Sequence, residues 1–349
     1  MLMDEKLNKK EFKILSIDGG GIKGLYSSKI LEHLEDEVKS PLSDYFDLIT
    51  GTSTGGLIAM ALSLKIPAKE IVNFYKTEGP LIFKNNLPFS RRLRFFQQLL
   101  IQSKYSAKQL KSSLEKIFDH KKISDSGNLL CIPSFNATTG VNRVFKYDHE
   151  KLIGTDNDLT MVDVGLATAA APTYFPLHKI GNPYFVDGGV WANNPALCGL
   201  LEAMKFFVGQ PPKPYNSVKI LSIASLNNGS GFQIRKNKFN PIHYIFDYKR
   251  FSFRNWNSKL FQITLDGQSE FIDFFLKSIS ADLSFGCSYC RIPPHKVDPH
   301  NVSLIDLDMA SERSLELLEE YGNRQGLIHR RDSSVSNFFL SKKTFHLTK

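Results

Sequence analysis

Cysteine is scarce in this chain: Cys131, Cys198, Cys287 and Cys290 are all there is in 349 residues, and they are unevenly spaced. That excludes a disulfide framework and fits a reducing compartment. Cys287 and Cys290 form a CxxC, but with no second CxxC and no thioredoxin-like surroundings they read as ordinary reduced thiols. Long apolar runs are missing too. None reaches the ~18 residues of a membrane span, and the polar start MLMDEKLNKKEFK is no signal peptide, so a cytoplasmic protein is expected. Acidic residues are in deficit, 35 against 44 Lys and Arg, for a formal charge of +9. The deficit is local: residues 84 to 122 hold ten Lys or Arg against Glu115 and Asp119, and residues 233 to 260 hold seven against Asp247. An anionic partner, a phospholipid surface or a nucleotide, fits that distribution.

What is present is a chain 42% hydrophobic and 23% charged, the balance of a soluble globular protein long enough for a large core. KILSI (13 to 17) is a short apolar strand that stops at Asp18 and a run of glycines, and IKGLYSSKILEHLEDEV then repeats apolar residues at helical spacing. FDLIT (46 to 50) is the next strand, followed by GGLIAMALSL, a helix apolar on nearly all sides and therefore buried. Strands are expected at 128 to 138, 142 to 147, 183 to 187 and 218 to 226, with a helix at 161 to 171 halted by Pro172. This alternation predicts an α/β fold, a mainly parallel sheet with helices on both faces. With no repeat or low-complexity linker, a single domain over 12 to 328 is expected. Its catalytic core spans 12 to 230, a helical and basic insertion 230 to 286, and a C-terminal helix 303 to 322. The basic tail, 329 to 349, is expected to be loosely ordered.

Gly51-Thr52-Ser53-Thr54-Gly55 is a GxSxG pattern between a strand and a helix, the context in which it marks a nucleophile. The sharp turn exposes the Ser53 hydroxyl at the sheet edge, at the positive end of the following helix. Asp18-Gly19-Gly20-Gly21-Ile22-Lys23-Gly24 follows the first strand, and its glycines leave consecutive N–H groups free for an anion or a developing oxyanion. The same residues spell GxGxxG, but a dinucleotide site needs an acid closing the second strand; the nearest acids lie in the helix EHLEDE, and that strand ends in the serine turn. A nicotinamide-type oxidoreductase is thus the weaker alternative. A hydrolase triad would need a late histidine, yet none of His243, His295, His300, His329 and His346 sits in a glycine-bounded loop after a buried strand. What does sit there is Asp187, directly before Gly188 and Gly189. An Asp at the carboxyl edge of a parallel sheet is where ligand-facing groups gather, although a plain Asp-Gly turn would look the same.

DGGGIKG at 18 to 24, GTSTG at 51 to 55 and DGG at 187 to 189, in that order, resemble the patatin-like phospholipase family, as do ATAAAPTYFP (167 to 176) and NNP (193 to 195). The resemblance covers residues 12 to 230 well and the remainder loosely. It implies a three-layer α/β/α fold, a dyad of Ser53 as nucleophile and Asp187 as base, and an oxyanion held by the amides of Gly19, Gly20 and Gly21. Lys23 stands where the family has Arg or Lys. An ordinary carboxylate is a weak base for a hydroxyl, so such a site must raise the pKa of Asp187 or hold a very short hydrogen bond.

PFSRRLRFFQQLLIQSK (88 to 104) places Leu93, Phe96 and Leu100 on one helical stripe behind a cluster of arginines, and KRFSFRNWNSKLF (249 to 261) has the same mixture. Either could lie on anionic lipid or face the core. RVFKYDHEKL (143 to 152) and LDMASERSLELLEEYG (307 to 322) resemble bacterial patatin-like effectors of cyclic-nucleotide anti-phage signalling. That resemblance implies a cytoplasmic phospholipase, peripheral at the inner membrane when active, switched on by a cyclic di- or trinucleotide through homo-oligomer formation. The substrate partner is then a phospholipid membrane surface, with no DNA or RNA, no cofactor and no metal expected. The alternative within the family is a constitutive esterase without nucleotide control.

Overall fold

The computed structural model describes residues 10–84, 103–150, 156–227 and 253–347. Its strands are β1 (Glu11–Ile17), β2 (Leu48–Gly51), β3 (Leu129–Asn136), β4 (Val141–Lys146), β5 (His178–Lys179), β6 (Tyr184–Asp187), β7 (Ser217–Ile223) and β8 (Gly286–Ile292). They form one sheet in the order β5-β6-β3-β2-β1-β7-β8, with β4 on β3. The run from β3 through β2, β1 and β7 to β8 is parallel throughout. A central parallel strand has both faces covered, which explains why EFKILSI is buried at six of seven positions despite its lysine.

The helices are α1 (Gly24–Val38), α2 (Thr54–Ser63), α3 (Ala68–Ile82), α4 (Ala107–Phe118), α5 (Met161–Thr168), α6 (Ala196–Glu202), α7 (Phe253–Ile279) and α8 (Glu312–His329). Helix α2 packs on β1, β2 and β3, and α6 on β1, β2 and β7. All ten residues of α2 are buried, as its all-apolar sequence requires.

The arrangement along β3 places the site. Strand β4 takes one edge of β3 over residues 131 to 136. The other edge is divided, with residues 129 to 131 pairing in parallel with β2 and residues 134 to 136 pairing antiparallel with β6. Strands β2 and β6 therefore meet end to end, and the chain leaves one at Gly51 and the other at Asp187 in the same neighbourhood.

Several expectations need correction. The helix expected through 171 stops at Thr168, because the carbonyls of Thr168 and Ala170 accept from Gly188 (3.4 Å) and Asp187 (3.0 Å). The helix expected at 303 to 322 runs instead over Glu312–His329, started by Ser311, whose hydroxyl caps the amide of Ser314 at 3.3 Å. The preceding stretch bends inward, and the Leu307 carbonyl accepts from Ile22 N–H at 2.9 Å. The tail is not loose as far as it is described. Val335 and Phe338 are buried, Phe345 stacks edge-on against Phe207, and the amides of Thr344 and Phe345 donate to buried Asp47 (3.1 and 2.9 Å). Strand β8 extends the sheet past the expected core limit of 230. The basic segment at 88 to 104 lies outside the described residues except for Ser103 and Lys104, as do His243 and the start of the segment at 249 to 261.

Candidate active site

Ser53 sits between β2 and α2 with φ 53° and ψ −124°, a backbone conformation costly for a residue with a side chain. Its neighbours hold it there. The Ser53 N–H donates to Thr168 Oγ1 (2.9 Å), and that hydroxyl donates onward to the Pro133 carbonyl (2.6 Å). Thr52 Oγ1 donates to the Ala192 carbonyl at 2.5 Å. Gly55 is required because a Cβ there would lie 2.2 Å from the Ile17 carbonyl oxygen. The hydroxyl of Ser53 is thus delivered to the amino end of a buried helix.

Asp187 closes β6 and is 2% exposed. Gly189 N–H donates to its Oδ1 at 2.7 Å, and the Ser53 side chain is close enough to favour the ionised carboxylate. Burial pushes its pKa up to about 7, against the smaller opposing pull of those two groups. Among the described residues no cation contributes, so the carboxylate keeps the proton affinity of a useful base near neutrality. Among the described residues no histidine lines the cavity around the pair, and His295, His300 and His329 lie elsewhere.

The glycine loop divides into two. Gly19 N–H donates to the Asn193 carbonyl at 3.1 Å, so it is not available as an oxyanion donor, against the expectation for that residue. The amides of Gly20 and Gly21 have no acceptor among the described residues, and both glycines line the cavity with Ser53 and Asp187. The Thr54 amide, first in α2, is likewise without an acceptor there and lines the same space. Gly21 has φ 58°, and a Cβ on it would stand 2.1 Å from the Leu307 carbonyl oxygen. No other residue fits that turn without moving the loop.

Asp18 and Lys23 face away from the serine, into a second, polar cavity. Arg291 on β8 grips both Asp18 oxygens (Nη1 to Oδ1 3.1 Å, Nη2 to Oδ2 2.5 Å) and donates to Ser222 Oγ at 2.5 Å. Burial works against the charge on Arg291, but the Asp18 carboxylate outweighs it and holds the guanidinium above its ordinary value. Burial lowers the pKa of Lys23, opposed by Asp266, Asp306 and Asp18. Gly24, Gly51, Gly188 and Gly189 serve as backbone around the two turns, Gly188 lying so close to β3 that a Cβ would meet the Pro133 carbonyl at 2.3 Å.

The serine cavity together with its open mouth spans about 680 Å³, and its walls are apolar, with Phe83, Tyr174, Phe175, Phe261, Leu265 and Leu307 prominent. Phe261 and Leu265 come from α7, which is fastened over the Asp187 turn: Gln268 donates to the Val190 carbonyl (2.8 Å) and Asn193 Nδ2 to Ser269 Oγ (3.0 Å). A hydroxyl nucleophile, a tuned carboxylate, unspent amides and a hydrocarbon-lined pocket are the parts needed for acyl transfer from an apolar ester. Sequence reasoning missed Thr168, Thr54 and Arg291. Thr168 lies within ATAAAPTYFP, which carried a signal without a role, whereas Arg291 has none nearby. Among the described residues no group of three His, Cys, Asp or Glu could hold a metal ion. No described helix is long and apolar enough to cross a membrane.

The family model described as patatin-like phospholipase matches residues 15–197. A cGAMP-activated phospholipase from Pseudomonas aeruginosa is 31% identical over 89% of this chain and 87% of its own length. A cGAMP-activated phospholipase from Vibrio cholerae is 34% identical over 62% of this chain and 65% of its own. Patatin-like protein 1 of Arabidopsis thaliana is 29% identical over 89% of this chain and 80% of its own.

Proposed function

Since the chain belongs to the patatin-like phospholipase family and is a lipid-ester hydrolase, we propose that it cleaves membrane phospholipid acyl esters through a Ser53–Asp187 dyad under cyclic-nucleotide control. The observation that carries the catalytic half is convergence: Ser53, Asp187 and the amides of Gly20, Gly21 and Thr54 all border one apolar cavity. Ser53 Oγ attacks the ester carbonyl while Asp187 takes its proton, and the free amides receive the oxyanion. Collapse of the tetrahedral intermediate expels the lysolipid alcohol, which takes the proton from Asp187. Water, deprotonated by Asp187, then attacks the acyl-enzyme and releases the fatty acid.

Control by a cyclic dinucleotide is supported by three relatives named cGAMP-activated phospholipase. With it go a place in anti-phage defence, homo-oligomer formation on activation and action at the inner membrane surface. The constitutive alternative is kept because plant relatives named only as patatin-like proteins also match over 89% of this chain. Release of fatty acid from phosphatidylglycerol vesicles, with and without a panel of cyclic di- and trinucleotides, separates the two. Stimulation by one nucleotide and loss of all turnover in Ser53→Ala are expected; a rate indifferent to every nucleotide sinks the regulatory half and leaves the dyad standing.

A further inference from the structure

Helix α7 has three unlike faces at the 100° per residue of an α-helix. One face, with Phe261, Leu265 (6% exposed) and Leu276 (1%), is turned to the protein, and its first two residues wall the serine cavity. A second, with Asp266, Glu270 and Asp273, borders the polar cavity of Lys23 and Arg291. The third is the stripe Leu260, Thr264, Gly267, Phe271, Phe274 and Ser278, spaced four, three, four, three and four residues apart. It carries no charge, and its large side chains stand in solvent: Leu260 is 50% exposed, Phe271 63% and Phe274 69%. Phe271 stacks on Phe275 along the helix, with ring centroids 6.2 Å apart, and on no ring across from it among the described residues. Two phenylalanines held out on the outer side of the element that closes an active site call for an apolar partner.

We propose that this ridge is where the protein meets its substrate phase, with Leu260, Phe271 and Phe274 entering the acyl boundary of an anionic phospholipid bilayer. The inference rests on the lipid hydrolase reading above. Charge favours lipid over a second copy of the chain: in sequence, residues 233 to 260, which lead into and begin α7, hold seven Lys or Arg against Asp247, whereas Lys277 near the far end is paired with Asp273 at 2.8 Å. A basic stretch of sequence running into an uncharged aromatic stripe suits an anionic headgroup layer over hydrocarbon, whereas two copies of so basic a stretch would repel. Because another face of α7 walls the catalytic cavity, a bilayer on the ridge lies against the helix that bounds the serine pocket.

The test uses vesicles of phosphatidylglycerol and phosphatidylethanolamine, with every protein in the Ser53→Ala background so that binding is read without turnover. The double variant Phe271→Ser/Phe274→Ser is expected to lower vesicle partitioning at least about tenfold. With Ser53 intact, it keeps its rate on a short soluble ester within roughly twofold, which also reports an intact fold. Phe274→Trp is expected to show blue-shifted emission on adding vesicles. Unchanged partitioning of the double variant, or no emission shift, overturns the proposal. So does loss of an oligomer with vesicle binding unchanged, which would assign the ridge to a second copy. If the wild type hydrolyses no ester, the hydrolase reading fails, yet the partitioning experiment still decides the ridge.

Discussion

Two turns in this molecule share the sequence Asp-Gly-Gly, at 18 to 20 and at 187 to 189. Each follows a strand of the same sheet, and each aspartate is 2% exposed. Their partners differ. Burial pushes the pKa of Asp18 up, but Asp18 lies in the fork of Arg291, whose charge and hydrogen bonds oppose that rise and give it a structural duty. Asp187 has the Ser53 hydroxyl and the Gly189 amide beside it but, among the described residues, no cation, so burial raises its pKa to about 7. A buried carboxylate becomes a brace or a base according to whether a positive charge was folded in beside it.

The largest expected effect comes from removing the proposed base. Asp187→Asn should cut kcat/KM on a soluble ester by about 10⁴-fold or more, the range seen when a member of a nucleophile–base pair is lost. Its stability should move the other way. The wild-type carboxyl binds its proton more tightly folded than unfolded, so stability falls as pH rises from about 4, the unfolded value, to about 7. Asp187→Asn should therefore raise Tm at pH 8 and leave it unchanged near pH 4; equal Tm at both would show that burial is not what tunes this group. In the wild type, kcat/KM should climb about tenfold per pH unit toward a plateau above about 7, the base being active only when ionised.

Next comes the brace. Arg291→Met leaves Asp18 buried without its partner and should cost roughly 3–5 kcal/mol in urea unfolding, with Asp18→Asn/Arg291→Met recovering part of it. A pair that contributed only surface electrostatics would show under 1 kcal/mol, a result that would erase the contrast between the turns. The smallest effect is expected from Thr168→Val, which keeps the shape but removes both the bond to the Ser53 amide and the bond to Pro133. About a tenfold fall in kcat with KM unchanged would mark a positioning residue; equal loss on both would mean that the binding cavity had changed.

The strands and the Ser and Asp turns were legible because local sequence makes them: apolar runs cut by glycine, each at a strand end. What was illegible depends on residues distant in the chain. Gly19, Gly20 and Gly21 look equivalent in sequence, and only the Asn193 carbonyl, 174 residues away, takes Gly19 out of service. Strand β8, GCSYCRI, was hidden because it lacks the β-branched run of a central strand, and Arg291 had no motif to announce its meeting with Asp18. The helix expected to start at 303 starts at 312 because residues 303 to 311 are drawn to the glycine loop, where Leu307 supports Ile22. Apolar spacing alone does not register that tertiary demand.

The divided edge of β3 bears on how far this site tolerates motion. Ser53 hangs from a strand paired with residues 129 to 131, and Asp187 from one paired with residues 134 to 136, so both reacting groups are referenced to a single eight-residue ruler. Twisting or breathing of the whole sheet moves the two ends together and leaves their separation unchanged, as common-mode noise cancels in a differential measurement. A break within β3 itself, around Ile132 and Pro133, would instead shift the two ends relative to each other.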